Sequence, residues 1–516
     1  MKKILAFLLA VCLISGVLAG CGAHDQAEAS ATSGTTAPAA EVLSAPKYVF
    51  LFIGDGMSYP QIQATADYLG ALEDTDYFQA QPSRGNNGAK LDGPEYLNFM
   101  NFEAVGSAVT YDSNSFAPDS ASSATSIATG HKTYAGIINM DENGLICYET
   151  IAEKVHEQLG MKVGVVSSVN VNHATPAAFY AHQPSRSNYY NIGVELVESG
   201  FEYFAGGAFR QPDGSSSSTP AKNLYTLAKA AGYTIARTNE AAESVSASDE
   251  KVIVIGEDLA DSNTLAYELD RTEDMWSLAD YVAKGIDVLD NENGFFMMCE
   301  GGKIDWACHA NDAASAIHDT LALADAVQVA IDFAAEHPGE TLILVTGDHE
   351  TGGLSIGFAG TDYDTYLTLL QNQKISFAKY NSDYVAAYKK NGASFDEVLV
   401  DIQTLFGLKA NGLPNDKLTL TDYEQEQLKM AYEKSVNGTD TGEDSQHEYV
   451  MYGTYEPLTV TITHILNNKS GINFSSFCHT GLPVAVFADG VNAEMFDGYY
   501  DNTEIYHKLA QMLNVT

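Results

Sequence analysis

Six short apolar runs, each ending in a polar residue, constrain this chain most. Tyr48–Gly54 runs into Asp55, and Lys162–Val169 into the segment Asn170–Thr175. Lys251–Gly256 ends at Glu257 and Phe295–Cys299 at Glu300. Leu342–Gly347 runs into Asp348 and His349, and Pro483–Ala488 into Asp489. Continuous apolar runs of this length suit parallel strands buried on both faces. Helical patterns lie between them, around 145–160, 218–232, 276–290 and 311–336. The alternation predicts an α/β fold: a three-layer α/β/α sandwich with a largely parallel central sheet. Ligands of such sheets bind beyond the carboxyl ends of the strands, where these polar residues are expected.

Residues 362–455 break the pattern. They are rich in Tyr, Lys, Gln, Asp and Asn and carry weaker apolar runs. Amphipathic helices are expected near 383–406 and 420–436, and the segment reads as a helical cap insertion over the sheet edge. The catalytic domain then comprises 46–361 and 456–516. A chain of 516 residues fits one large domain with such an insertion.

The amino terminus reads as a processing signal. Lys2 and Lys3 precede an apolar stretch too short for a confident span, and Leu18–Cys21 (LAGC) resembles a bacterial lipobox. The expectation is a lipoprotein signal peptide over 1–20, cleavage before Cys21 and lipid on its thiol. That places the protein outside the cytoplasm, anchored to a membrane at the periplasm or cell surface. Residues 21–45, rich in Ala, Ser, Thr and Glu, read as a flexible tether. The net charge of −41 disfavours nucleic acid and anionic membranes as partners. It leaves room for an anionic substrate if metal ions reverse the sign locally.

Several residue groups have metal-ligand character. Asp55 lies between two glycines in a tight turn. Asp305 and His309 are i and i+4, so on a helix they share one face. Glu300 precedes them at a strand end. Asp348 and His349 are adjacent, and both can reach one site only where the glycine-rich backbone around them bends. His479 lies just before another apolar run. Thr175 can give an oxygen to a hard cation, and Arg186 can clamp a phosphate with parallel hydrogen bonds. Each has a plain structural reading alone: a turn, a solvated pair, a cap, a surface charge. The run Pro118–Thr133 (PDSASSATSIATGHKT) is dense in hydroxyls, any of which could be packing or a nucleophile.

Taken in order, FIGDGM (52–57), PDSASSAT (118–125), HATPAA (173–178) with Arg186, EGGKIDWACH (300–309), TGDHETGG (346–353) and CHTG (478–481) resemble the alkaline phosphatase family. The likeness covers roughly 46–360 and 460–516. It implies a phosphomonoesterase with Ser120 as nucleophile at a helix start, where the dipole favours an anion, and Asp119 before it. It implies two zinc ions. One would be held by Asp305, His309 and His479. The other would be held by Asp55, Asp348 and His349 and would contact Ser120. A third ion, commonly magnesium, would lie at Asp55, Thr175 and Glu300. Such a pair of ions clamps the attacking and leaving oxygens of an in-line displacement, and a phosphoserine forms and is then hydrolysed. Arg186 would grip the phosphate, and Ser122 to Thr129 would be packing residues. His173 and Trp306 stand where some relatives carry Asp and Lys. His173, as ligand or supporting group, would shift the third ion away from magnesium toward cobalt or zinc. Cys308 and Cys478 each precede a ligand of one ion, which suggests a disulfide between them. The family is often homodimeric.

Two other readings stay open. A phosphodiesterase of the same superfamily is one, since the insertion could shape a pocket for a second ester group. A lipid-anchored solute-binding protein is the other, which would need none of the Asp/His/Glu set. A sulfatase is disfavoured, because AlaSerSerAla follows Ser120 in place of x-Pro-x-Arg.

Overall fold

The computed structural model describes residues 44–214, 221–413, 415–439 and 445–516. The expected signal peptide, Cys21 and nearly all of the expected tether lie outside the described residues. The strands in chain order are β1 (Tyr48–Gly54), β2 (Ala104–Val109), β3 (Lys162–Asn170), β4 (Tyr203–Gly207), β5 (Thr234–Ala236), β6 (Val252–Ile255) and β7 (Phe295–Glu300). There follow β8 (Thr341–Gly347), β9 (Glu350–Thr351), β10 (Leu354–Ile356), β11 (Ile472–Phe474), β12 (His479–Thr480), β13 (Val484–Gly490) and β14 (Gly498–Asp501). Ten of them form one sheet in the order β14-β2-β13-β8-β1-β7-β3-β4-β6-β5. All neighbours are parallel except those of β13, which runs against both β2 and β8. The expected largely parallel α/β sheet is what forms.

β1 shows why the runs are unbroken. Val49, Leu51 and Ile53 join the apolar core on one face, with Ala121, Ile127, Ile505 and Leu509. Tyr48, Phe50 and Phe52 join the core on the other, with Val282, Val327 and Phe333. Helices 120–129, 189–199 and 503–513 supply the first layer, and 278–289 and 313–336 the second. Each fully buried Phe or Leu contributes about 1.5–3 kcal/mol, and burial on both faces leaves no polar alternation to see. Register then sets the site: Ile53 pairs with Glu300, and Gly54 with Gly347. Asp55, Glu300 and Asp348 therefore leave the sheet at one edge.

The sixth run departs from expectation. Because β13 is antiparallel, Asp489 pairs with Ile343 at the opposite edge, away from the other polar ends. It is the start of β13 that faces the site.

Within residues 362–455 a third apolar cluster gathers Leu367, Leu370, Val398, Ile402, Phe406, Leu428 and Tyr432 with Ala64 and Tyr68 of helix 59–73. Leu458, Ile462 and Leu466 of helix Pro457–Ser470 belong to the same cluster. The helix expected at 383–406 is two pieces, because Gly392 ends the first in a left-handed conformation and Ser394 caps Phe395–Phe406. The second helix forms at Asp422–Ser435.

The disulfide expectation is corrected. Cys308 and Cys478 are both free. Cys308 is buried, its sulfur 3.8 Å from the Gln61 amide, while exposed Cys478 has its sulfur 3.8 Å from the Tyr449 hydroxyl. The sulfurs keep different company, with the turn residue Gly352 lying between the two segments: its N–H donates to the Cys478 carbonyl at 3.0 Å, and a Cβ on it would lie 2.9 Å from the Cys308 carbonyl oxygen.

Candidate metal centre

Ser120 is the first residue of a helix that is buried along its whole length. Asp119 caps it, accepting from the Ser122 N–H at 3.0 Å, and Gly130 ends it in a left-handed turn. The cap carboxylate also accepts from the Gly136 N–H (2.9 Å) and from Arg186 Nη1 (2.8 Å). Arg186 is thereby tethered beside Ser120. Burial opposes the Asp119 charge, but Arg186 and these hydrogen bonds hold its carboxyl down at about 2.

Three clusters of potential ligands lie against this helix start. Asp305, His309 and His479 form one, Asp55, Asp348 and His349 a second, and Asp55, His173 and Glu300 a third; in each, the ligand atoms lie within 4.8 Å of one another. In the first, helix Lys303–His309 presents Asp305 and His309 on one face. His479 is brought in by the β9–β12 pair, where it faces Thr351. His309 Nδ1 donates to the Phe477 carbonyl and His479 Nδ1 to the Pro118 carbonyl, both at 2.6 Å. Those bonds fix the tautomers and turn the two Nε2 lone pairs inward, 3.0 Å apart and 3.3 and 3.5 Å from Asp305 Oδ1.

In the second cluster His349 Nε2 lies 3.2 Å from Asp55 Oδ1, 3.4 Å from Asp348 Oδ2 and 3.3 Å from Ser120 Oγ. Gly56 makes the turn possible. Its φ is +72°, and a Cβ there would lie 2.8 Å from the Asp305 Cα. In the third cluster Asp55 Oδ1, His173 Nδ1 and Glu300 Oε1 are all buried without a hydrogen-bond partner. Thr175 donates to the other Asp55 oxygen at 3.2 Å. Trp306 offers its ring edge to His173, centroids 5.9 Å apart, and so packs against this cluster instead of joining it.

The electrostatics call for cations. Burial pushes Glu300 up to about 7 and, with Asp305 next, Asp348 up to about 8. Burial and the Asp348 charge push Asp55 up as well. Asp305 moves the other way: against burial, the attraction of the neighbouring His309, His479 and His349 rings and the Thr351 hydrogen bond hold it below the usual carboxylate range. Burial, then the Arg186 and Arg210 charges, push His173 down to about 3, and burial depresses His349 and His479. Buried carboxylates and inward-facing neutral imidazoles are what divalent ions stabilise. The orphaned atoms of the third cluster fit the same description.

All eight expected metal-site residues, Ser120, Arg186, His173 and Asp119 gather at this one edge. Several supporting groups escaped the sequence reading. Thr351 Oγ1 donates to Asp305 at 2.5 Å and lies 3.3 Å from His349 Nδ1, linking two clusters. Ser167 donates to Glu300. Ser123, expected only to pack, donates to Asp348 Oδ2 at 3.1 Å. Its signal was its place three residues after Ser120, on the same helix face. Lys303 is fully buried, pairing with Asp261 at 2.8 Å and lying over the Tyr267 and Trp306 rings.

The comparisons agree with this geometry. Residues 46–515 match the family model described as alkaline phosphatase. Alkaline phosphatase 3 of Bacillus subtilis is 30% identical over 516 residues, covering 98% of this chain and 96% of that protein. Alkaline phosphatase 4 of the same organism is 28% identical, covering 98% and 95%. The crystal structure of a cold-active alkaline phosphatase from a psychrophilic Shewanella sp. is 29% identical with a TM-score of 0.70, over 90% of this chain and 99% of that one. With nearly its whole length matched and its ligand clusters assembled at one sheet edge, the chain belongs to the alkaline phosphatase family.

Proposed function

We propose that this protein hydrolyses phosphate monoesters through a phosphoserine on Ser120, with zinc at the Asp305/His309/His479 and Asp55/Asp348/His349 clusters and a third ion at Asp55, Thr175, His173 and Glu300. The observation that carries the reading is Ser120 Oγ at a helix N-terminus, 3.3 Å from His349 Nε2 and among the clusters. When bound, the ions supply positive charge that favours the serine alkoxide and stabilises the departing one.

The chain's own residues do the rest. The helix dipole and Arg186 attract the phosphate dianion, and Asp119 keeps Arg186 aimed. Ser120 Oγ forms a bond to phosphorus as the ester P–O bond breaks, and the alcohol leaves with a proton. Water then attacks phosphorus, the Ser120 P–O bond breaks, and inorganic phosphate departs. Ser123 and Gly56 hold Asp348, and Thr351 holds Asp305, so the clusters keep their shape through both steps. The test is p-nitrophenyl phosphate hydrolysis by Ser120→Ala beside the parent, with acid-quenched labelling by radioactive phosphate. Loss of turnover on the order of 10³-fold or more, together with loss of label, is expected. Retained turnover in Ser120→Ala refutes the serine route.

The amino-terminal reading is carried as part of this proposal: lipid on Cys21 holding the catalytic body outside the cytoplasm. Lipid labelling of the parent but not of Cys21→Ser tests it.

A further inference from the structure

Helix Lys303–His309 is followed by a residue in the left-handed conformation. Asn311 has a φ of +53°, and the N–H groups of Asn311 and Asp312 bond back to the carbonyls of Cys308 (3.0 Å) and Ala307 (2.9 Å). Glycine is the usual occupant of such a position, because it has no Cβ to strain. Here an asparagine takes it, and every polar atom of its amide is engaged. Nδ2 donates to the Cys308 carbonyl at 2.9 Å and to the Ser476 carbonyl at 2.8 Å. With both amide hydrogens on carbonyls, Oδ1 faces His464, 2.9 Å from Nε2, so that ring nitrogen carries the proton. The Asn311 carbonyl accepts from Asn467 Nδ2 at 2.8 Å. The residue is only 2% exposed, so water cannot replace these bonds.

The bonds join three pieces of chain around the Asp305/His309/His479 cluster. Helix 303–309 carries Asp305 and His309. Segment 476–479 carries His479 and the Phe477 carbonyl that accepts from His309 Nδ1 at 2.6 Å. Helix Pro457–Ser470 carries His464 and Asn467 on one face; on the other, Leu458, Ile462 and Leu466 pack into the apolar cluster shared with residues 362–455. His464 also stacks on the Phe477 ring, centroids 5.9 Å apart. The two ligand histidines meet at 3.0 Å from separate segments, so their spacing depends on whatever fixes one segment against the other. Asn311 does so directly, through one amide that holds a carbonyl of each.

We propose that Asn311 is a positioning residue of the metal centre: it locks His309 and His479 at the spacing one ion requires, and His464 and Asn467 hold it in turn. The inference rests on the reading of Asp305, His309 and His479 as zinc ligands. It adds that helix 457–470, and with it the apolar cluster of residues 362–455, helps to hold that ion.

Asn311→Gly is the informative variant, since glycine keeps the left-handed turn and removes only the side-chain bonds. Zinc affinity is measured by competition with a chromophoric chelator, beside Tm of the metal-free and zinc-loaded proteins. The zinc lost on His309→Ala defines the ion of this cluster. Asn311→Gly is expected to bind that ion about 10- to 100-fold more weakly. Its kcat/KM should fall and be partly restored by excess zinc, and it should have no further effect on zinc binding in the His309→Ala background. His464→Phe keeps a ring against Phe477 and drops the N–H, and should weaken the ion by up to about tenfold. A Tm that falls equally with and without zinc, at unchanged zinc affinity, overturns the proposal. Should Asn311→Gly fail to fold, the same measurement on His464→Phe decides it. If His309→Ala retains as much zinc as the parent, the ligand reading itself fails and takes the proposal with it.

Discussion

His309 and His479 face each other through their Nε2 atoms at 3.0 Å, and each ring's Nδ1 is committed to a backbone carbonyl. With both Nδ1 atoms so committed, the two Nε2 atoms converge, an arrangement suited to a cation lying between or beside them. Asp305, also within 3.5 Å of both, supplies the compensating charge for such an ion.

Metal removal should therefore weaken the fold as well as the activity. Chelation is expected to lower Tm by roughly several degrees, and zinc to restore it, because an ion bound only by the folded state stabilises that state by mass action. The metal-free protein should also respond to pH. Asp348 at about 8 and Glu300 at about 7 bind protons more tightly folded than unfolded. Their favourable contribution is complete below about pH 4 and is lost as pH rises through 7 to 8. Thermal melts of chelated protein should thus fall in Tm from pH 5 to pH 8.5 more steeply than melts of the zinc-loaded protein. Parallel curves would remove the cluster as the cause.

Ser123→Ala separates packing from support. The hydroxyl's bond to Asp348 Oδ2 would be lost while the helix keeps its small, buried residue. Loss of one such supporting bond is expected to cost about 10- to 100-fold in metal affinity or activity, read as weaker zinc retention and a lower kcat/KM that excess zinc partly restores. A merely structural role would lower Tm and leave zinc affinity unchanged.

The Asp119–Arg186 pair predicts an acid-side signature. Asp119 titrates at about 2 in the folded chain against about 3.9 unfolded. Because the folded value is depressed, the stabilisation is present above about pH 4 and is lost as pH falls through 2; it amounts to about 2 kcal/mol. Asp119→Asn keeps a good helix cap but loses the charge. Denaturant unfolding should show the variant less stable at pH 7, with the gap closing toward pH 2. A gap that stays constant with pH would assign the effect to packing.

Legibility in the sequence followed the physics of each feature. β1, β7 and β8 were readable because strands buried on both faces must be apolar throughout, and their glycine and carboxylate ends mark where the chain leaves the sheet. Asp489 was misplaced because strand direction leaves no trace in composition; only the pairing of β13 with β2 and β8 shows that it runs backwards. The break at Gly392 had a visible signal that an amphipathic period across 383–406 overrode. Ser167 and Thr351 were not legible, and Ser123 only through its place three residues after Ser120. A hydroxyl has no pattern of its own, and its role depends on which carboxylate the fold brings within 3 Å or so.

His173 gives the last test. Its Nδ1 and the Asp55 and Glu300 oxygens beside it are the orphaned buried atoms of the third cluster. An imidazole is a softer donor than a carboxylate and carries no charge, so the parent site should favour zinc or cobalt over magnesium relative to an all-oxygen site. His173→Asp replaces nitrogen with charged oxygen and should shift the third ion toward magnesium. The measurement is metal content per chain after dialysis against equal zinc, cobalt and magnesium, beside activity with each added back. Parent protein is expected to respond more to cobalt or zinc at this site, and the Asp variant more to magnesium. Identical metal content and identical responses would place His173 outside the ligand set. Its contact with the Trp306 ring would then be its main role.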